Sequence, residues 1–308
     1  MKAVVITDFG TEPTLADIAD PEAGEGEVVV DVEHASVNGM DVATVKGYVQ
    51  GMMPYELPIT LGRDFSGTIR AIGAGVTDLA VGDAVFGQSL GMPLHEGAFA
   101  ERIKATAAVI APRPAGLSSA DAAALAVAGA AARAAVDAIA PKAGDTVLIA
   151  GATGGVGSLA IQMVKGSGAT VIATASPGKE AFVTDLGADE VVDRTGDLDA
   201  QVRKTHPDGV DAALHLAGDP MALADLLASG GRMASVLGVG QDQMTRPDVT
   251  ATMVMTIPNR ETLAALADDV TSGRLRVPIT ASYPLDQAGQ AVADFAEGAT
   301  GKLAVAIK

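Results

Sequence analysis

Ala152, Gly154 and Gly157 stand between an apolar run and a helical repeat, where a backbone can close on a phosphate. Val147, Leu148, Ile149 and Ala150 form a continuous apolar segment bounded by Gly144 and Gly151, the pattern of a strand buried on both faces of a parallel sheet. Beyond the turn, Val156, Leu159, Ala160, Met163 and Val164 recur at helical spacing as one apolar stripe. The small residues match the dinucleotide fingerprint GxGxxG with alanine in the first place. Its three places serve a tight turn, close approach of backbone to a pyrophosphate, and tight packing of helix on strand. Ala152, Thr153, Gly154, Gly155, Val156 and Gly157 are therefore expected to hold a dinucleotide at a helix N-terminus.

A dinucleotide site for an unphosphorylated ribose places an acid about 20 residues beyond the glycines. Ala175 and Ser176 stand there, followed by Lys179. A hydroxyl and an ammonium suit a 2′-phosphate, which a carboxylate would repel, so NADPH is the expected cofactor. A second reading of the same residues stays open: Ser176 as an N-cap, with Pro177 in the first helical position and Lys179 solvated on the first turn. Glu180 would compete with a phosphate for Lys179.

With 308 residues, the chain is expected to form about two domains. The absence of cysteine removes disulfides, thiolate metal sites and a cysteine nucleophile. His34, His95, His206 and His215 have no metal-ligand spacing, so no metal is expected. A net charge of −17 disfavours nucleic acid and anionic membranes. The N-terminus is too short in apolar residues for a signal core, and the run Ala122 to Ala132 is far short of a membrane span. A soluble cytoplasmic protein is expected, with no nucleic-acid or membrane partner.

These chemical residues need elements to hold them. Glu27 to His34 alternates Val28, Val30 and Val32 against Glu27, Asp31 and Glu33, as a half-buried strand does. Short β runs at Met1 to Ile6, Phe65 to Ile72, Val81 to Phe86 and Ala98 to Lys104 are separated by turns such as Ile72 to Gly75 and Leu90 to Pro93. They predict a mostly antiparallel first domain. Ser118, with Asp121 three residues on, predicts a helix start. Strands at 146 to 150, 170 to 174, 190 to 193, 211 to 216, 231 to 237 and 249 to 254 predict a doubly wound parallel sheet. A helix at Glu261 to Ser272 and a last strand at Lys302 to Ile307 return the chain to its first domain, with the reaction site expected between the two lobes.

These residues resemble the medium-chain dehydrogenase/reductase superfamily, in its zinc-free, zeta-crystallin-like quinone oxidoreductase branch. The resemblance runs through ASVNGMDVATVKG (35–47), LGRDFSGTI (61–69), VGDAVFG (81–87), EGAFAE (96–101), LSSADAAAL (117–125), GATGGVG (151–157), LGADEVVD (186–193), GGR (230–232), IPNRETLAAL (257–266) and GKLAVAI (301–307). It implies an α/β chain with a Rossmann domain (117–257) inserted into a GroES-like, mostly antiparallel β-barrel domain (1–116 and 258–308). Metal-dependent members carry a zinc-binding cysteine where this chain has Asn38, and a His-Glu pair where it has Arg63-Asp64.

With neither metal nor cysteine, the reaction must rest on positioning an electrophilic acceptor against the nicotinamide. The expected enzyme is an NADPH-dependent, zinc-independent reductase of quinones or α,β-unsaturated carbonyls. An enoyl-thioester reductase, or a non-enzymatic NADPH-binding sensor or structural protein, is the alternative. The resemblance implies that Asn38 bonds the nicotinamide ribose or a substrate oxygen. Asp41 is expected to act at the site, chiefly as an orienting or bracing residue. Arg63 is expected either to pair with Asp64 or to stabilise charge on a carbonyl oxygen. Tyr48 and Tyr55 are candidates for the pocket wall or a proton donor. Arg194 stands where the family often has tyrosine, as a candidate phosphate partner. Lys302 resembles a cofactor position and Arg260 a cleft position. A homodimer through the strand near 249 to 254 is also implied.

Overall fold

The alternate valines of EVVVDVEH enter a core in which Val28, Val30 and Val32 are fully buried beside Phe65, Ile69 and Phe99. The intervening acids instead meet cations: Asp31 pairs with Arg102 at 3.2 Å, and Glu33 with Arg113 at 3.0 Å. This computed structural model describes every residue of the chain except Leu90 and Ile257. The first residue of the turn expected at Leu90 to Pro93, and the domain limit expected at 257, lie outside the described residues.

The chain divides into two units. The first comprises Met1–Ala130, Ile257–Gly273 and Ile279–Lys308, and the second Ala131–Thr256 and Arg274–Pro278. In the first unit, Glu27–Ser36 is the central strand of a seven-stranded sheet. It pairs antiparallel with Asp64–Ile72, Arg102–Thr106 and Lys302–Ala306. The last pairing brings residues from the two ends of the chain side by side, with Ser36 opposite Ala304. A three-stranded sheet joins Thr14–Asp17, Lys2–Ile6 and Ile59–Thr60.

Two expected strands shift. The first run begins at Ala84 rather than Val81, because Asp83 closes a turn by accepting from the Ala80 amide and Gly82 bonds back to Ile69. The second begins at Arg102 rather than Ala98, because the preceding residues bond in turn to Leu61, Gly62 and Val4. The helix Ala288–Ala296 and the strand Ile279–Pro284 had no clear signal in the sequence.

The helix Ser119–Ile139 starts where Ser118 and Asp121 cap it: the Asp121 amide donates to Ser118 Oγ at 3.0 Å. It is long and apolar enough to cross a membrane by length and composition, more than the run Ala122 to Ala132 suggested. Yet 67% of its apolar window is buried inside the protein. Its first half packs on Phe86, Ala111, Leu263 and Ala267, which is why the division between units falls within it rather than at 116.

The second unit is a six-stranded, all-parallel sheet. Its spatial order is Glu190–Asp193, Thr170–Ala175, Thr146–Ala150, Val210–His215, Leu227–Ser235, Thr250–Met253. In sequence order this is 3-2-1-4-5-6, the doubly wound arrangement whose carboxyl edge receives a ligand. The fifth strand begins four residues before its expected start and carries Gly230 and Gly231 within it. Thr250–Met253 is an edge strand, and Met253 and Met255 beside it are exposed.

Candidate active site

The first sheet strand of the second unit ends at Ala150, and the chain turns through Gly151 at φ +85°, a backbone state that suits glycine. The Gly151 amide donates to Thr174 Oγ1 at 3.1 Å, which ties the loop to the end of the second strand. Gly154 caps the helix Gly155–Gly166. The amides of Gly155, Val156 and Gly157 have no partner among the described residues, so three donors and the positive end of a 12-residue helix remain for an anion.

The two glycines at the helix start differ in kind. A Cβ at Gly157 would lie 2.3 Å from Gly151 O and 2.6 Å from Ala152 Cα, so its smallness serves the packing of helix on turn. A Cβ at Gly154 would meet only Gly151 O at 3.5 Å, an ordinary contact. Nothing within the chain requires Gly154 to be small, which fits a residue kept bare for an approaching ligand.

At the ends of the next two strands, the Arg194 amide donates to Ala175 O, and Arg194 Nε donates to Ser176 Oγ at 2.5 Å. The reading of Ser176 as an N-cap is thereby corrected: the helix begins at Glu180 with Lys179 at its cap, and Ser176 Oγ turns to Arg194. Glu180 accepts from the Gly178 amide at 2.8 Å, which gives that carboxylate a local partner. Ser176 and Arg194 thus share one strand-end corner, and the Lys179 amide donates to Ser176 O at 3.0 Å beside them.

In the first unit, four residues from three separate stretches of sequence build a buried polar network. Asp64 accepts from the Ser36 amide (2.9 Å), Ser36 Oγ (2.8 Å) and Asn38 Nδ2 (3.0 Å), and lies 3.7 Å from Lys302 Nζ. Lys302 Nζ donates to Val37 O at 2.9 Å and Asn38 Oδ1 at 2.8 Å. Asn38 Nδ2 also donates to Ser36 O at 3.2 Å. With acceptors on one side and an ammonium on the other, the amide of Asn38 has a single orientation. Burial raises the Asp64 carboxyl and lowers the Lys302 ammonium from their ordinary values, each partly offset by the other's charge.

Two expectations change here. Lys302, expected on the cofactor, is buried with its ammonium committed to Val37, Asn38 and Asp64. The expected Arg63–Asp64 pair does not form, because Asp64 is taken by Lys302 instead.

Asp41 is a brace. Its two carboxylate oxygens accept from the Asn38 amide at 2.8 Å and the Gly62 amide at 2.9 Å, which fixes Asn38 and the turn before Arg63. Burial pushes its carboxyl up to about 6, against the lowering effect of those amides and of Arg63. Because the folded value lies above the ordinary 3.8, the fold loses stability as pH rises from 3.8 through 6, by roughly 3 kcal/mol in all. In Asp41→Asn this slope should disappear. Unfolding free energies of both proteins, compared between acid and neutral pH, test it: an unchanged slope refutes the assignment.

Arg63 is 7% exposed, and its guanidinium has no hydrogen-bond or ion-pair partner among the described residues. Burial lowers its basicity and Asp41 raises it. Tyr48 is exposed, and Tyr55 packs edge-on against Phe9 with ring centroids 4.8 Å apart; neither hydroxyl bonds the Asn38 network. Arg260 ties the start of its helix to Ile110 O, Ala107 O and Asp78, a structural cross-tie within the first unit.

One buried pair escaped the sequence. His215 Nε2 faces Gly218 O and so carries the proton, which makes Nδ1 the acceptor from Ser235 Oγ at 2.8 Å. Ser235 Oγ in turn accepts from the Leu237 amide, which joins the ends of two neighbouring strands.

Residues 24–115 match the family described as "Alcohol dehydrogenase GroES-like domain", and residues 186–305 that described as "Zinc-binding dehydrogenase". The chain is 30% identical to a chloroplast envelope quinone oxidoreductase homolog of Arabidopsis thaliana, over 96% of this chain and 94% of that protein. The chain belongs to the medium-chain dehydrogenase/reductase superfamily.

Within that superfamily it is similar to several oxidoreductases. A quinone oxidoreductase from Coxiella burnetii superposes with a TM-score of 0.92 at 31% identity, covering 100% of this chain and 99% of that one. Mycobacterial Rv1454c, solved in complex with NADPH, gives 0.86 at 28% identity over 100% of both chains. The 2-methylene-furan-3-one reductase of Solanum lycopersicum is 29% identical over 99% of this chain and 79% of that protein. A mycocerosic acid synthase-like polyketide synthase of Mycobacterium tuberculosis is 34% identical over 91% of this chain, which spans only 14% of that protein. As a member of this superfamily the chain is a nicotinamide-dependent oxidoreductase with a GroES-like and a Rossmann domain.

The zinc in one family description does not fit the residues present. Where the resemblance implies a zinc-binding cysteine and a His-Glu pair, the chain offers an amide nitrogen already donating, Asn38; a cation, Arg63; and Asp64, already paired with Lys302. Among the described residues no cluster of three or more His, Cys, Asp or Glu suits a metal.

Proposed function

We propose that the protein is a cytoplasmic, NADPH-dependent, zinc-independent reductase that transfers hydride to a quinone or an α,β-unsaturated carbonyl, and that it acts as a homodimer through its exposed sheet edge. The observation that carries this reading is the pairing of Ser176 with Arg194 beside Lys179 at the carboxyl ends of the second and third strands. Two cations and a hydroxyl favour a 2′-phosphate, and Arg194 can bind it with its remaining guanidinium nitrogens. Similarity to a protein solved with NADPH supports the same reading.

When bound, NADPH supplies the hydride from C4 of its nicotinamide. Gly155, Val156 and Gly157 would hold the pyrophosphate by backbone amides and helix dipole. The Asn38 network leaves one lone pair of Asn38 Oδ1, which can accept from a ribose hydroxyl. Similarity to a quinone oxidoreductase and to an enone-type reductase supports a conjugated carbonyl acceptor, with an enoyl thioester as the second reading.

Purified protein should oxidise NADPH with 1,4-benzoquinone or an enone, with no change on adding a chelator. Ser176→Asp combined with Lys179→Ala should lower kcat/KM for NADPH about 100-fold while leaving NADH within a few-fold, since charge-assisted bonds are worth about 1.5–3 kcal/mol each. Equal losses for both cofactors would refute the phosphate corner. Activity lost to chelator and restored by zinc would refute zinc independence.

A further inference from the structure

The fourth and fifth strands of the parallel sheet, Val210–His215 and Leu227–Ser235, end on two polar residues that are partners in the ladder. Ala213, Leu214, Met233 and Ala234 before them are buried and apolar, and His215 and Ser235 are themselves 2% and 0% exposed. The Leu237 amide donates to Ser235 Oγ at 3.1 Å, Ser235 Oγ donates to His215 Nδ1 at 2.8 Å, and His215 Nε2 donates to Gly218 O at 3.1 Å. Every polar atom of the two side chains is used, so the ring has one tautomer and one orientation. This line of bonds ties one strand-end loop, 236–238, to its neighbour, 216–218.

An apolar pair of similar shape would join the two strands about as well, so a saturated polar pair sealed here serves arrangement more than cohesion. What it arranges is the carboxyl edge of the sheet in the second unit. Gly151, which opens the phosphate loop, lies against the first of these loops: a Cβ there would stand 3.0 Å from Leu216 C and 3.1 Å from Ala217 Cβ. Ala217, Gly218, Leu237 and Gly238 are exposed, and Gly218 and Gly238 turn at φ +88° and +79°. In a sheet of order 3-2-1-4-5-6 the ligand lies across the carboxyl ends where the order reverses, between the first and fourth strands. With the pyrophosphate on the turn after the first strand and the 2′-phosphate at the ends of the second and third, the other half of a dinucleotide meets the ends of the fourth and fifth.

We propose that His215 and Ser235 are positioning residues for the nicotinamide half of the dinucleotide, which they serve without touching it: their bonds hold the loops 216–218 and 236–238 in the arrangement that receives it. This rests on the dinucleotide reading above and names the residues that order its second half. Binding to loops already held in place costs less freedom than binding to loops that must first be ordered. Without the pair, the two loops lose their link, while the tie of Gly151 to Thr174 and that of Arg194 to Ser176 remain. The loss should therefore fall on the nicotinamide half alone.

Calorimetric titration of the full-length protein with NADPH and with 2′-phospho-ADP-ribose, which lacks the nicotinamide, tests this. Wild type should bind NADPH about 10-fold or more tighter than the fragment. Ser235→Ala and His215→Phe should each weaken NADPH about 10-fold and leave the fragment within about twofold, the scale of one lost hydrogen-bond link. The double variant should lose no more than the weaker single variant, because the two side chains act as one unit. If His215→Phe does not fold, Ser235→Ala decides by the same two affinities. A pair that only stabilises the sheet would weaken both ligands alike. That result, an unchanged NADPH affinity in either variant, additive losses, or a wild type that binds both ligands equally overturns the proposal. A wild type that binds ADP-ribose as tightly as its 2′-phosphate would instead refute the NADPH reading, and the same variants titrated with NADH and ADP-ribose would then decide the role of His215 and Ser235. A wild type that binds none of these ligands refutes the dinucleotide reading and this proposal with it.

Discussion

Replacing Lys302 by methionine is expected to destabilise the first unit by about 3–5 kcal/mol, the cost of leaving a buried carboxylate without its counter-ion. Asp64 would keep Ser36 and Asn38 but lose the ammonium 3.7 Å away, while Val37 O and Asn38 Oδ1 would lose their donor. Thermal unfolding should show this as a fall in Tm of roughly 10 °C. Adding Asp64→Asn should recover part of the loss, because the stranded charge is then gone. Arginine at 302 should not rescue, since a planar fork does not reproduce two hydrogen bonds and an ion contact converging on one nitrogen. A Tm within about 2 °C of wild type would mean that the buried pair is neutral and contributes nothing.

The second large effect is at the glycine loop, where two neighbouring substitutions should separate folding from binding. Gly157→Ala puts a methyl 2.3 Å from Gly151 O and 2.6 Å from Ala152 Cα, so the backbone must move. Overpacking of this kind costs about 1–3 kcal/mol, and the displaced amides should lose the dinucleotide about 100-fold or more. Gly154→Ala meets only an ordinary 3.5 Å contact within the chain, so stability should stay within about 0.5 kcal/mol. Dinucleotide affinity should nevertheless fall, because the methyl occupies the line of approach. Calorimetric titration with NADPH alongside thermal melts reads both quantities. If Gly154→Ala binds like wild type, the pyrophosphate does not lie over that residue.

The contrast between these two regions explains what the sequence could carry. The glycine loop is local: its strand, turn and helix lie within 21 residues, and each residue's job follows from its neighbours. Five of the six parallel strands accordingly fall within about two residues of expectation, each a short apolar run between turn residues. The fifth is the exception, because two glycines inside it mimic a turn. The Asn38 network is non-local. Lys302 meets Val37 across 265 positions of sequence, and only the pairing of the last strand with Glu27–Ser36 reveals it. A lysine opening an apolar strand, in GKLAVAI, was the available hint.

Resemblance placed Asn38, Arg63 and Lys302 among the site residues, but it did not show that Lys302, rather than Arg63, pairs with Asp64. Hydrogen-bond saturation, which decides which group can still donate, depends on coordinates and not on residue type. Ser176 shows the reverse case. Its helix-cap pattern was locally sound, and Arg194 from the neighbouring strand overrode it.

The central claim is that hydride passes from a nicotinamide to a conjugated carbonyl acceptor. Its most direct measurement supplies NADPH deuterated at both C4 positions of the nicotinamide, with an α,β-unsaturated ketone in ordinary water. A saturated ketone carrying a single deuterium on the β-carbon, formed equally with and without chelator, is the predicted result. No saturated ketone, or a product in which the β-carbon carries no deuterium, would contradict it.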